Sequence, residues 1–222
     1  MKTKMIFIIV FISPYMIVAS EKKTPQIYNG VEFIFKNEGF PEKFPGYLKT
    51  IKKELSFIEH EIIHKARPII DAVKEQNHDT SLTREEIQRR DISWKSGSKA
   101  SPIRISIEKA RVTQYLKNII QKKKELAYSE IFLTDKQGAN VAAYPLTSDY
   151  WQGDEEKFTL AYQDGKTCRI FVGDFEYYDE SADSKSVQIS VPVYENKFGK
   201  GECIGVMIIG IRHRYLKSQN RE

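Results

Sequence analysis

The stretch His60-Glu61-Ile62-Ile63-His64 has the spelling of a zinc-peptidase helix, HExxH. Residues four apart on a helix share a face, so His60 and His64 could hold Zn²⁺ while Glu61 polarises the bound water. A catalytic zinc needs a third protein ligand. Arg67 and Ile70 stand where the extended pattern has Gly and His, and the nearest alternative carboxylates, Glu85 and Glu86, fall in a helix capping box. Lys65 follows the second His, where such helices usually carry an uncharged residue. The apolar stripe through Ile58, Ile62 and Ala66 leaves both histidines about 200° away, towards solvent. HEIIH is therefore read as the outer surface of a scaffold helix, with a zinc metallopeptidase as the alternative function.

The elements around it follow from periodicity. Residues 21–45, with Pro25, Pro41 and Pro45, read as an irregular or partly extended lead-in arm. Leu48, Ile51, Leu55, Ile58, Ile62, Ala66, Ile69 and Val73 advance by threes and fours, which predicts one long helix over about 46–75, kinked at Pro68. Thr83 to Glu86 opens a short helix as a capping box, and Ser101-Pro102 starts another that runs to about residue 126. From Ser129 the period changes to that of strands: "EIFLTD", "NVAAYP", "CRIFVGDFEYYD", "SVQISVPVYE" and "CIGVMIIGIRH". "DKQG" turns the first into the second. In the fourth, Val187, Ile189, Val191 and Val193 face one way and Gln188, Ser190 and Tyr194 the other. The fifth is apolar on both faces, which places it mid-sheet. Two strands, a helical insert and a three-strand meander ending centrally make a PAS-like layout. The fold class is α+β: a PAS-like five-stranded antiparallel sheet preceded by a long N-terminal helix and a helical layer.

The 222 residues, 41% of them hydrophobic, suffice for one domain with an appendage. The formal charge of +5 includes Lys2 and Lys4, which begin a segment with the look of a signal peptide. A basic start, an apolar run from Met5 to Ala19 and small residues at Ala19 and Ser20 suit cleavage before Glu21. The divisions are then a signal peptide at 1–20, the arm at 21–45 and a single domain at 46–222. The mature protein is expected to be periplasmic or secreted, or membrane-tethered if uncleaved. No basic run is interleaved with aromatics, which excludes nucleic-acid binding, and "QKKKE" at 121–125 is a solvated helix face. Cys168 and Cys203 each open a strand, on strands that flank a third. Two strand spacings come to about 9.6 Å, against the roughly 7 Å a disulfide tolerates between Cα atoms. A bridge is open only if those strand ends splay together.

The segments "EIFLTDKQGANVAAYPLTSDYWQGDEEKF", "GDFEYYDESADSKSVQISVPVYE" and "GECIGVMIIGIRHRYL", in that order, resemble the extracytoplasmic sensor modules called Cache or PDC domains, of single-Cache type. "TREEIQRRDISW" and the helix from Ser101 are similar to the helical layer before such sheets, so the resemblance covers about 44–216. It implies a pocket on one face of the sheet, covered by the segment between the second and third strands. The matching residues are Tyr150, Trp151 and Asp154 in that segment and Asp179 and Ser181 after the third strand. Aromatic walls with a few fixed polar groups are what a small-ligand site needs. Asp154 or Asp179 would anchor an ammonium, and Arg104 or Arg111 would clamp a carboxylate.

The expectation is a non-enzymatic sensor module for an organic acid, amino acid or amine, with no cofactor and no metal. No kinase, cyclase or methyl-accepting region follows "IRHRYLKSQNRE". The module would therefore pass ligand state to a membrane signalling protein or act as a stand-alone binding protein. Homodimerisation through the long helix is the expected self-association.

Overall fold

Strand-like alternation after residue 127 and helical spacing before it divide the chain into a sheet and the helices that cover it. The computed structural model describes residues 25–220 except 65–66, 98–100, 124–126, 175–176, 180–183 and 197. The expected signal segment lies outside them. Two strands come first, β1 (Ile27–Tyr28) and β2 (Val31–Phe35), then helices α1 (Phe40–Lys43) and α2 (Pro45–Phe57). A π-helical segment, Ile58–His64, leads to α3 (Arg67–His78), α4 (Arg84–Lys95), α5 (Pro102–Lys109) and α6 (Arg111–Lys122). The remaining elements are β3 (Tyr128–Asp135), β4 (Asn140–Tyr144), α7 (Glu156–Tyr162), β5 (Ile170–Val172), β6 (Tyr177–Asp179), β7 (Ser184–Tyr194), β8 (Cys203–Arg212) and α8 (His213–Ser218).

The central antiparallel order is β5-β7-β8-β3-β4, with the last strand in the middle as the PAS-like layout requires. β8 runs against β7 from Cys203 to Arg212 and against β3 from Gly205 to Ile211. Its side chains alternate between two cores. Met207, Ile209 and Ile211 join Val187, Ile189, Val191, Ile131 and Leu133 on one face, against α2, α3, α6 and α8. Val206 and Ile208 join Phe132, Phe171, Trp94, Tyr150 and Phe158 on the other, against α4, α5 and α7. No described helix is long and apolar enough to cross a membrane.

Five local readings change. Residues 27–35, inside the expected irregular arm, form a hairpin whose second strand pairs in parallel with β5, Phe33 opposite Ile170. Burial of Val31 and Phe33 drives it. The long helix is three pieces, and the departure from α geometry falls at 58–64, upstream of Pro68. The wider turn seats both Ile62 and Ile63 in the core. The helix from Ser101 breaks at Ala110, which is extended at ψ 138°. The third strand is two, β5 and β6, each paired with β7. A register shift after Val193 turns Tyr194 into the same core as Val193, not the opposite face.

The stripe of α2 carries one charge, Glu54, with only 2% of its surface exposed. Its carboxylate accepts from Tyr128 Oη (2.5 Å), Tyr215 Oη (2.6 Å) and Lys123 Nζ (2.7 Å), tying α2 to β3, α8 and the end of α6. Burial pushes this carboxyl up, but the three donors outweigh it and hold it below its usual range. Removing one partner of a buried pair strands the other, so Glu54→Gln should lose about 3 kcal/mol in urea unfolding at pH 7. A depressed folded-state pKa stabilises above the usual carboxylate range and is lost as pH falls through the folded value. The gap between variant and wild type should therefore close on acidification, and a gap that stays constant to low pH contradicts the ionised knot.

Candidate functional site

The hairpin turn after β3 is built on Asp135, which is fully buried. Its Oδ1 accepts from Gln137 N (2.8 Å) and Ala139 N (2.9 Å), and its Oδ2 from Gln76 Nε2 (2.9 Å). Burial raises its pKa against the pull of these donors. Gly138, at φ +80°, lets the turn's backbone approach Gly153 more closely than any side chain would permit. The segment 147–153 then lies along the hairpin as an added edge. Asn140 N donates to Tyr150 O (3.0 Å) and Gln152 N to Gly138 O (2.8 Å).

Helix α4 clamps that edge from the other side. Asp91 Oδ1 accepts from both Tyr150 N (2.9 Å) and Trp151 N (3.0 Å), and its Oδ2 pairs with Lys95 (2.7 Å). Trp94 Nε1 donates to Thr147 O (2.8 Å). Asn140 Nδ2 reaches Thr147 Oγ1 (2.7 Å) and Asp149 O (3.0 Å). Asp149 does not cap α7, whose first cap is Glu155; its carboxylate lies 3.4 Å from Lys95.

These contacts give the expected site residues different stations. Tyr150 is fully buried, its ring 5.9 Å from that of Trp94, and its hydroxyl accepts from Arg90 Nη1 at 3.5 Å. Burial raises the Tyr150 pKa, and Arg90 pulls it back. Arg104 stacks over Trp94 at 4.9 Å and donates to Trp94 O (3.3 Å), so it joins this cluster from α5. Trp151 is half-buried, donates from Nε1 to Gln137 O (2.8 Å) and lies under the Arg84 guanidinium at 5.4 Å. Asp154 is exposed at the end of the segment, and Arg111 is exposed at the start of α6. Asp179 has its backbone in β6; its side chain and all of Ser181 lie outside the described residues.

A cavity of about 330 Å³ opens beside Trp151. Trp151, Phe158 and Tyr162 supply its aromatic wall, and Arg84, Lys136 and Gln88 its polar groups. No Asp or Glu lines it among the described residues, so its field is positive. A second cavity of about 340 Å³ lies between α4 and α5, where Glu86 meets Arg89 and Arg90. Both guanidiniums bond that carboxylate at 2.7 Å and hold its pKa at about 2. Deeper on the same sheet face, Gln188 Nε2 donates to Glu130 Oε1 (2.7 Å). The buried hydroxyls of Ser186 and Ser190 have no protein partner there. Arg84, Lys136, Asp91 and Trp94 were not singled out from the sequence. Trp94 and Asp91 lie three apart on α4, a spacing that could have marked a face turned to the sheet.

His60 is exposed, with Nδ1 2.9 Å from Ser56 O; the His64 side chain lies outside the described residues. Glu59, not Glu61, is the buried acid of this stretch, accepting from Tyr28 Oη (3.0 Å) and Asn29 Nδ2 (2.8 Å). Among the described residues, no three His, Cys, Asp or Glu side chains converge as metal ligands. Cys168 and Cys203 are buried free thiols. β5 and β8 do flank β7, yet the thiols meet, and burial with Cys168 alongside drives the Cys203 pKa far up.

No family model and no curated protein matches the sequence. Among solved structures, the chain is similar to the sensor domain of the V. cholerae histidine kinase DctB. Identity is 11%, with 83% of this chain and 58% of that one covered, at a TM-score of 0.45. It is also similar to the ligand-binding domain of the Campylobacter jejuni chemoreceptor Tlp3, solved with 4-methylisoleucine. There the identity is 17%, the coverage 82% and 66%, and the TM-score 0.36. An extracellular ligand binding receptor from Desulfohalobium retbaense aligns at 11% identity over 68% of this chain and 25% of that one, TM-score 0.34. The chain thus spans less than two thirds of the length of each. The PAS-like assignment stands on the strand order and the two helical covers.

The double acceptor role of Asp91 is testable. Asp91→Ala leaves two inward N–H groups unpaired and should cost about 2–6 kcal/mol, at ~1–3 kcal/mol for each such group. Asp91→Asn keeps the Oδ1 acceptor and should lose less than half of that in urea unfolding. Equal losses for the two variants would assign the effect to the Lys95 ion pair instead.

Proposed function

We propose that this chain is a non-enzymatic small-molecule-binding sensor module of the single Cache type. The cavity beside Trp151 carries the reading. Its volume of about 330 Å³ is near the lower end for ligand sites, which fits a compact metabolite. Its wall offers aromatic faces and two cations without an acid, which favours a carboxylate over a simple amine. The ligand class is therefore an organic acid, or an amino acid held by its carboxylate. Asp91 and Asp135 hold the cavity's Trp151 edge in place before any ligand arrives, which reduces the ordering that binding requires.

The rest of the reading rests on the sequence. Export behind the signal segment at 1–20, a domain spanning 46–222 with its lead-in arm, and a membrane signalling protein as partner are all parts of it. Dimerisation through α2 and α3 belongs to the same proposal.

A thermal-shift series with organic acids, amino acids and amines tests the site. A ligand held at 100 Kd should add about 2.7 kcal/mol of stability. Carboxylate compounds should shift the melting temperature and simple amines should not. Arg84 is exposed, so Arg84→Glu should abolish the shift while leaving the unliganded melt in place. No shift across the panel, or one that survives Arg84→Glu with Lys136→Glu, overturns the assignment.

A further inference from the structure

The largest cavity named here is on the other side of the sheet. It holds about 650 Å³ between α2, α6 and α8. Phe57, Tyr115 and Ile119 supply apolar walls, and the Glu54 knot forms one side through Glu54, Lys123 and Tyr215. Lys53, Lys122 and Glu61, all exposed, stand at the rim.

The knot makes this more than a gap between helices. A buried carboxylate is expensive unless well bonded, and here three donors hold it at 2.5–2.7 Å. What the arrangement fixes at the cavity wall is the ammonium of Lys123. It sits 3.6 Å from the centre of the Phe57 ring and 5.0 Å from that of Tyr128, with a side chain 15% exposed. An ammonium carries three donors, and Glu54 takes one. A pre-positioned cation beside apolar walls, with two exposed lysines against one exposed acid at the entrance, matches a molecule with one anionic end and one apolar end. Glu54 already accepts from three donors, so a cationic ligand gains little from it.

We infer that this cavity is a second ligand site, separate from the one at Trp151, and that it takes a monocarboxylic acid with an aromatic or branched apolar body. The carboxylate meets Lys123 and the rim lysines, and the body lies on Phe57, Tyr115 and Ile119. The site is formed by α2, α6 and α8, and α2 and α8 lie far apart in sequence. A bound acid would therefore bridge them.

Calorimetric titration of the purified chain with phenylacetate, benzoate and 4-methylpentanoate tests this, with phenylacetamide and phenethylamine as neutral and cationic counterparts. At least one acid should bind saturably, and more than tenfold tighter than its counterparts. Lys53→Glu with Lys122→Glu, both on the surface, should weaken it more than tenfold without moving the melting temperature. Ile119→Trp, which fills the cavity, should abolish it. Arg84→Glu should leave this binding unchanged, which separates the site from the one beside Trp151. No saturable binding by any of the three acids overturns the inference. So does binding that is indifferent to the rim reversal and the filled cavity, or binding lost with Arg84→Glu.

Discussion

A strand with no polar face must be covered on both sides and flanked on both edges. β8 is such a strand. Its residues from Cys203 to Ile211 are all buried. That one requirement accounts for the order of the sheet, with β7 and β3 on either side. It also accounts for two helical layers where one would serve a sheet with a wet face. The apolar stripe of α2 and α3 meets one set of its side chains, and α4, α5 and α7 meet the other. The cavity beside Trp151 lies between α4, α7 and the hairpin turn, and the larger one between α2, α6 and α8.

The two layers are secured differently. On the α2 side a single charge knot at Glu54 joins α2 to β3, α8 and the end of α6. Around the Trp151 edge two aspartates, Asp91 on α4 and Asp135 at the end of β3, use their oxygens as acceptors for backbone N–H groups. Each fixes a stretch of main chain that has no regular ladder of its own. The edge that carries Trp151 is therefore held at its backbone although it is a loop, and the cations at its cavity, Arg84 and Lys136, are exposed side chains.

Strand periodicity and the doubly apolar fifth strand were legible in the sequence, because alternation with a period of two has few other causes. The stripe from Leu48 to Val73 was legible for the same reason, and every described position in it is buried. Its π-helical stretch was not, since a stripe records which residues face inward and not how many fit in a turn. β2 was missed although Asn29-Gly30, both at positive φ, is a hairpin turn signal; only its parallel pairing with β5, far along the chain, leaves no local trace. Around the cavity, Tyr150 and Trp151 were visible as aromatics, but which is core and which is wall depends on Asp91, a charge the sequence does not single out. Arg84 and Lys136 are ordinary surface cations in the sequence, and only the fold brings them to one cavity.

The pairing of β2 with β5 has a temporal consequence. A chain made from its N-terminus presents Val31 and Phe33 long before Ile170 and Phe171 exist to receive them. Contacts of such wide sequence separation form late, because a long loop must close before they are rewarded. The β1–β2 hairpin, made long before β5, is thus among the last parts to find its place. Until then the edge of β5 stays open, with unpaired backbone groups available to any extended strand nearby. The N-terminal strands finish the sheet by closing that edge.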